Sequence, residues 1–95
     1  MIVERWTWKV KVGCRAEVVK AIKAAVEEIG LTPRICSFIF GPFDIVISDL
    51  EFESEEDMNK NRAVRYDKGG PALAEWHKKR RELVVSENCG LLRVH

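Results

Sequence analysis

Two segments of the chain alternate between apolar and polar residues with the period of a β-strand. In residues 2–12 the even positions are mostly apolar, whereas the odd positions include the basic Arg5 and Lys9. In residues 44–53 the even positions after 44 are mostly apolar, and the later odd positions are acidic. Because successive side chains of a strand point to opposite faces, each segment predicts a strand with one apolar and one charged face.

The opposite charges on these two polar faces indicate that the strands are neighbours in one sheet. Cross-strand pairs of opposite charge are favourable, so they help to select a register. We predict that Arg5 lies near Glu51 and Thr7 near Asp49, to within about two residues.

Helical periodicity follows the first strand. Apolar residues recur at steps of three and four through residues 15–29, and Gly30 is suited to end that helix. A second helix is expected over residues 55–66, capped by the hydroxyl of Ser54 and contacting the core through Met58 and Val64.

The second helical region is interrupted by Gly69-Gly70-Pro71, after which residues 72–85 form another helical stretch. Residues 34–40 predict a further strand because they are rich in β-branched and aromatic side chains. Residues 88–90 predict a turn, and residues 91–95 a short last strand.

The order of elements is βαββαβ, which predicts an α+β, ferredoxin-like fold. Its antiparallel sheet is expected to have the order 4-1-3-2, with two helices on one face. The 95 residues are expected to form one domain, residues 1–95.

Composition narrows the choice of partners. The net charge of +1 gives no reason to expect nucleic acid or a membrane surface as a partner. The acidic Glu4 near the N-terminus is unlike a signal peptide, so a cytoplasmic protein is expected. The three cysteines include no C-x-x-C pair, and we expect neither a disulfide framework nor a metal site.

The helices are expected to cover the apolar face of the sheet and to form the core with it. The predicted residues of that face are Trp6, Trp8, Val10, Cys36, Phe38, Phe40, Val46, Leu50, Phe52, Leu92 and Val94.

A ligand site is predicted where aromatic residues gather on this face beside the interrupted helix. Its predicted binding residues are Trp6, Trp8, Tyr66 and Trp76. Glu4 is at an even position of the first strand, so its side chain is predicted to lie on the apolar face. Burial there would raise the pKa of the carboxyl group and suit it to act as an acid or base. Alternatively, Glu4 reaches water at the strand end.

His77, next to Trp76 on the predicted helix, is the second candidate base. The alternative for His77 is a surface position, which is usual for a single histidine on a helix.

The opposite face of the sheet mixes charges with isoleucines, which is unusual for a solvated antiparallel sheet. Such a patch predicts an interface, and the simplest partner is a second copy related by two-fold symmetry. Its predicted residues are Arg5, Lys9, Ile45, Ile47, Asp49 and Glu51. The alternative is a plain solvated sheet surface.

Three stretches of the sequence resemble NIPSNAP-type domains: MIVERWTWKVKVG, DLEFESEEDMNKNRA and AEWHKKRRELVVSENCGLLRV. The resemblance spans nearly the whole chain and implies a dimeric α+β barrel in which two ferredoxin-like subunits pack sheet to sheet. In that superfamily small ligands often bind between sheet and helices. The chain departs from the family pattern at Trp6, where arginine is expected, and at Trp8, where tyrosine is expected.

Three functions remain open from the sequence. The first is a homodimer that binds a small apolar or aromatic molecule without a cofactor. The second is a cofactor-independent monooxygenase-like enzyme with Glu4 or His77 as base, which rests on fold analogy. The third is a structural or regulatory dimer without a ligand.

Overall fold

The computed structural model describes residues 1–67 and 69–95, except for the side chain of Tyr66. Four strands and three helices follow one another in the order βαββααβ, which is the predicted order with the second helical region in two pieces. The elements are β1 (Ile2–Val10), α1 (Arg15–Glu28), β2 (Arg34–Ser37), β3 (Ile45–Phe52), α2 (Glu55–Asp67), α3 (Pro71–Leu83) and β4 (Val84–Arg93).

The four strands form one antiparallel sheet with the order β2-β3-β1-β4. This confirms the predicted ferredoxin-like arrangement, with β1 and β3 central and adjacent. Arg5 is opposite Asp49 and Thr7 is opposite Ile47, so the register is two residues from the expected pairing. A shift of two keeps every side chain on its predicted face, because strand side chains alternate with period two.

The core lies between the sheet and the helices. Val18, Ile22 and Val26 recur along one stripe of α1 and are buried, as the helical periodicity predicted. They pack in the same cluster as Val10 and Val46 from the centre of the sheet. The even positions of β1 therefore face the helices, which places the aromatic residues of this strand under α1 and α3.

Local signals place the end of α1 and the start of α2 as predicted, whereas α3 ends at Leu83 and the predicted helical residues Val84 and Val85 belong to β4. Gly30 follows α1 with φ +80°, a conformation that glycine adopts without a steric penalty. The Ser54 hydroxyl accepts a hydrogen bond from the Asp57 backbone N–H at 3.2 Å and caps α2. Met58 is buried as expected, whereas Val64 is exposed and the prediction that it contacts the core is wrong.

The last strand is much longer than predicted. A turn is predicted at residues 88–90, but β4 runs without interruption from Val84 to Arg93 along β1. The neighbouring strand supplies backbone partners that outweigh the local turn preference. Leu92 pairs with Val3 and so lies on the helix-free face, which corrects its predicted place on the apolar face. Val94 lies beyond the strand and is exposed.

Strand β2 is shorter than predicted and ends at Ser37. Cys36, Phe38 and Phe40 are predicted to lie in the core, but all three are exposed. Cys36 is opposite Ile47 on the helix-free face, while Ile35 packs against the core. Only four residues of β2 pair with β3, so the rest of the predicted strand has no partner and forms a loop.

Within the described residues, the helices are all too short or too polar to cross a lipid bilayer.

Candidate functional site

Three tryptophans meet between the sheet and α3. Trp6 and Trp8 are stacked, with ring centroids 5.7 Å apart, because alternate residues of β1 point to the same face. Trp76 of α3 meets the Trp8 ring edge-on at 5.2 Å. The structure therefore brings together the predicted ligand-binding residues Trp6, Trp8 and Trp76. The side chain of the fourth, Tyr66, lies outside the described residues.

A cavity of about 90 Å³ lies against these rings. Most of its wall is apolar, and the polar lining residues come from β3, α2 and α3. The lining residues are Trp6, Trp8, Ile22, Ala25, Val26, Ile29, Ser48, Leu50, Arg65, Leu73, Trp76, His77 and Arg80.

The Glu4 carboxylate is completely buried beside this cavity, and four hydrogen bonds occupy its two oxygens. The indole N–H of Trp6 donates to Oε2 at 2.9 Å, and Nε of Arg62 donates to Oε1 at 2.7 Å. Arg65 donates from Nη1 to Oε2 at 2.8 Å and from Nη2 to Oε1 at 3.0 Å. The cluster ties α2 to the central strand of the sheet.

These contacts overturn both predictions for Glu4. Burial alone would raise the pKa of the Glu4 carboxyl, but the hydrogen bonds from Arg65, Arg62 and Trp6 outweigh it and lower the pKa to about 2. Glu4 is therefore a structural group that is ionised at physiological pH, neither a base with a raised pKa nor a solvated strand end. The role of Arg62 and Arg65 was missed, although their spacing of three on a helix places both on one side.

The other end of the aromatic cluster is held by an ion pair between α3 and β4. The guanidinium of Arg80 lies 5.4 Å from the centre of the Trp6 ring, and its Nη2 is 2.7 Å from the Glu87 carboxylate. Trp8 donates its indole N–H to the same carboxylate at 3.0 Å. The hydrogen bond from Arg80 lowers the pKa of Glu87, and the hydrogen bond from Trp8 acts in the same direction. Burial opposes this shift but does not outweigh it.

His77 of α3 also lines the cavity and is half-buried. Burial, together with the charges of Arg80 and Arg81, lowers the pKa of His77. The imidazole is therefore neutral at physiological pH and can accept a proton or a hydrogen bond. Within the described ranges 1–67 and 69–95, no group of three or more His, Cys, Asp or Glu residues is placed so that it could hold a metal ion.

The helix-free face of the sheet pairs its charges within one chain. Arg5 makes two hydrogen bonds to Asp49, at 2.9 and 3.0 Å, and Arg34 lies 2.9 Å from Glu51. The hydrogen bond from Arg5, opposed by burial, lowers the pKa of Asp49, which is only 4% exposed. Lys9 lies 3.9 Å from Asp44. These predicted interface charges thus have partners without a second copy.

The sheet order and the helices on one face define a ferredoxin-like α+β protein. No protein-family profile and no curated protein matches the sequence.

Solved structures share the fold over the whole chain. A NIPSNAP domain protein from Burkholderia xenovorans superposes with a TM-score of 0.79 at 14% identity, covering 100% of this chain and 95% of that one. A NIPSNAP family protein of unknown function from Agrobacterium tumefaciens gives 0.77 at 20% identity, covering 99% and 87%. An antibiotic biosynthesis monooxygenase gives 0.70 at 10% identity, covering 100% and 99%. The resemblance to NIPSNAP proteins is thus confirmed at the level of the fold.

Proposed function

We propose that this protein binds a small, mainly aromatic molecule in the cavity between β1 and α3. The observation that carries the proposal is that every tryptophan of the chain lines this one cavity. Small-molecule sites are mostly apolar and hold a few placed polar groups, here Ser48, Arg65, His77 and Arg80. Tryptophan rings supply flat contact surfaces that favour an aromatic ligand.

The volume of the cavity limits the ligand. An apolar protein cavity of about 150 Å³ holds one benzene molecule. The present cavity of about 90 Å³ is smaller, so the proposal requires wall side chains to shift when a ring enters. The site therefore suits a single ring.

The test uses toluene as the probe and the three indole N–H signals in a ¹H–¹⁵N NMR spectrum as reporters. Toluene is expected to shift all three signals in a saturable manner. The variant Ala25→Val adds two methyl groups to a buried cavity wall and should abolish the shifts, whereas Ala24→Val, on the exposed side of α1, should not. Absence of saturable shifts, or shifts that survive in Ala25→Val, would refute the proposal.

The same protein is proposed to act as a homodimer that pairs the helix-free faces of two sheets. Thr7 and Ile47 lie opposite each other on the two central strands of this face, Ile45 lies on the same face at the start of β3, and all three stay partly exposed in one chain. A two-fold axis would bring this self-complementary mixture of isoleucines and internally paired charges against itself. The NIPSNAP-like fold supports this arrangement through the barrel expected of that family.

A monooxygenase-like reaction is the second candidate function, favoured by a neutral His77 in the cavity wall and by the fold shared with an antibiotic biosynthesis monooxygenase. His77 would take a proton from the substrate, a role that Glu4 with its low pKa does not fill. The test is dioxygen uptake with a panel of single-ring hydroquinones. If the protein catalyses this reaction, dioxygen uptake should depend on the protein, and its rate should fall at least about tenfold in His77→Ala. Uptake equal in both proteins, or absent, refutes it.

If neither toluene nor the hydroquinones interact with the protein, a structural or regulatory dimer without a ligand becomes the better description.

A further inference from the structure

The polar part of the cavity wall is cationic. Arg65 and Arg80 line the cavity together with the neutral Ser48 and His77, and within the described residues no carboxylate group is part of its lining. An apolar pocket with cationic groups and no acidic ones favours a ligand that brings a negative charge.

Both arginines are connected to Trp6. Trp6 donates its indole N–H to Glu4, which both Nη atoms of Arg65 also contact, and the Arg80 guanidinium lies 5.4 Å from the centre of the Trp6 ring. Arg65 and Arg80 also line the same cavity of about 90 Å³, so both side chains border the space that a ligand would fill.

Arginine donors remain available at this place. Nε of Arg65 is buried and has no hydrogen-bond partner in the described part of the chain. Arg80 contacts Glu87 through Nη2, which engages one of its donor atoms. A buried donor without an acceptor carries a free-energy cost, and a ligand oxygen would relieve it.

We propose that the cavity selects an aromatic carboxylate, with its ring on the tryptophans and its carboxylate at the cationic part of the wall, which Arg65 and Arg80 form. The inference rests on the proposed ligand-binding function and adds the chemical class of the ligand. The planar guanidinium fork matches a carboxylate well, and charge-assisted hydrogen bonds are stronger than neutral ones.

The test compares benzoate with benzamide, which has the same size and shape but no charge. Both are titrated against the three indole N–H signals, with toluene as the reference for the cavity itself. Benzoate is expected to bind at least about tenfold more tightly than benzamide. Equal affinity for the two overturns the selectivity while toluene binding upholds the proposed function, and failure of all three probes refutes both.

Arginine variants test which side chain is responsible for the preference for benzoate over benzamide. Arg80→Gln should reduce benzoate affinity by about tenfold and benzamide affinity by much less, because only benzoate loses a charge-assisted hydrogen bond. Arg81→Gln is the matched control, since it removes the same charge from the next position of α3, which is exposed and does not line this cavity. Equal weakening of benzoate binding by the two variants would mean general charge attraction and would overturn the proposed contact.

Arg65→Lys supplies the second measurement. It keeps the positive charge beside Glu4 but removes the fork and the buried Nε. Benzoate should lose its advantage over benzamide in this variant while toluene binding persists. An unchanged benzoate advantage would contradict the role of Arg65.

Discussion

At the scale of single residues, Glu4 decides most about the site. A carboxylate on the apolar face of a central strand would be costly to bury alone, but two guanidinium groups and an indole N–H saturate both of its oxygens. The result is a fixed anion that orients Trp6 and Arg65 at the wall of the cavity. Glu4 thus acts on the ligand site through its neighbours and not through proton transfer.

Acid stability should report this cluster. The pKa of Glu4 is about 2 in the folded protein, against 4.5 for an unperturbed glutamate, so its contribution to folding is complete above about pH 5 and is lost as the pH falls towards 2. The difference between the two pKa values corresponds to about 3 kcal/mol of unfolding free energy. Urea unfolding measured across this pH range checks the expected decline.

The variant Glu4→Gln should lower the free energy of unfolding by about 3 kcal/mol near neutral pH, because it removes the buried negative charge that the half-buried guanidinium groups of Arg62 and Arg65 contact. Its stability should also vary less than that of the wild type between about pH 5 and pH 2. Glu56→Gln is the control, since that carboxylate is exposed at the start of α2. Equal pH dependence in Glu4→Gln and wild type would contradict the assignment.

At the scale of elements, the start of α3 depends on a different helix. Gly70 has no side chain to cap the helix, and the Glu28 carboxylate at the end of α1 accepts hydrogen bonds from the backbone N–H groups of Ala72 and Leu73, at 3.0 and 2.9 Å. A negative charge also interacts favourably with the N-terminal end of a helix. The contact fixes α3, which carries Trp76, relative to α1.

The variant Gly70→Ala should break this contact. A Cβ at position 70 would lie 2.4 Å from Oε1 of Glu28, so the carboxylate must move away from the helix end. We expect a loss of about 1–2 kcal/mol, the usual effect of losing an N-terminal cap. Thermal or urea unfolding provides the measurement.

Gly90→Ala is the matched control, because a Cβ at position 90 meets no atom within 4 Å. Its stability should stay within about 0.5 kcal/mol of the wild type or rise slightly. A loss in Gly90→Ala as large as that in Gly70→Ala would show that glycine replacement in general, and not the Glu28 contact, causes the effect.

At the scale of the whole molecule, one face of the sheet and its β4 edge lack a covering element within the described residues 1–67 and 69–95. The sheet packs helices on one side only, and β4 forms a ten-residue edge that is exposed along nearly all of its length. Long exposed edges and mixed apolar faces are features that proteins usually cover. A second copy would cover the face without any additional segment.

Sedimentation equilibrium should therefore give about twice the chain mass of 10.9 kDa. Ile47→Glu, at the centre of the helix-free face, should shift the protein towards the monomer by placing a charge in the interface. Ala24→Glu, which adds the same charge on the exposed side of α1, should leave the dimer intact. A wild-type monomer at all concentrations would refute the dimer.

Much of the fold could be predicted because its signals are local. The alternation in β1 and β3 predicted both strands and their faces correctly, and the opposite charges of their polar faces identified them as neighbours, although Arg5 lies opposite Asp49 and not near Glu51. The period of apolar residues placed α1, while Gly30 and Ser54 marked helix ends through their own backbone and side-chain preferences. Apart from the charge match between the two strands, these signals need no knowledge of distant residues.

The errors arose where pairing outweighed local preference. The segment 88–90 has the composition of a turn, but alignment with β1 makes it part of β4. Phe38 and Phe40 have the composition of a strand, but β3 offers them no partner. Strand boundaries depend on the neighbouring strand, which the sequence of one segment does not contain.

The candidate site divides in the same way. The sequence by itself determined that Trp6 and Trp8 share one face and that Trp76 lies on a helix able to cover them, because strand and helix periods are local properties. Only the tertiary structure decided that Arg62 and Arg65 reach Glu4 and that Arg80 covers Trp6. The ionisation of Glu4 and the charge of the cavity follow from these long-range contacts, since a pKa depends on the burial and charges around a group and not on its place in the chain.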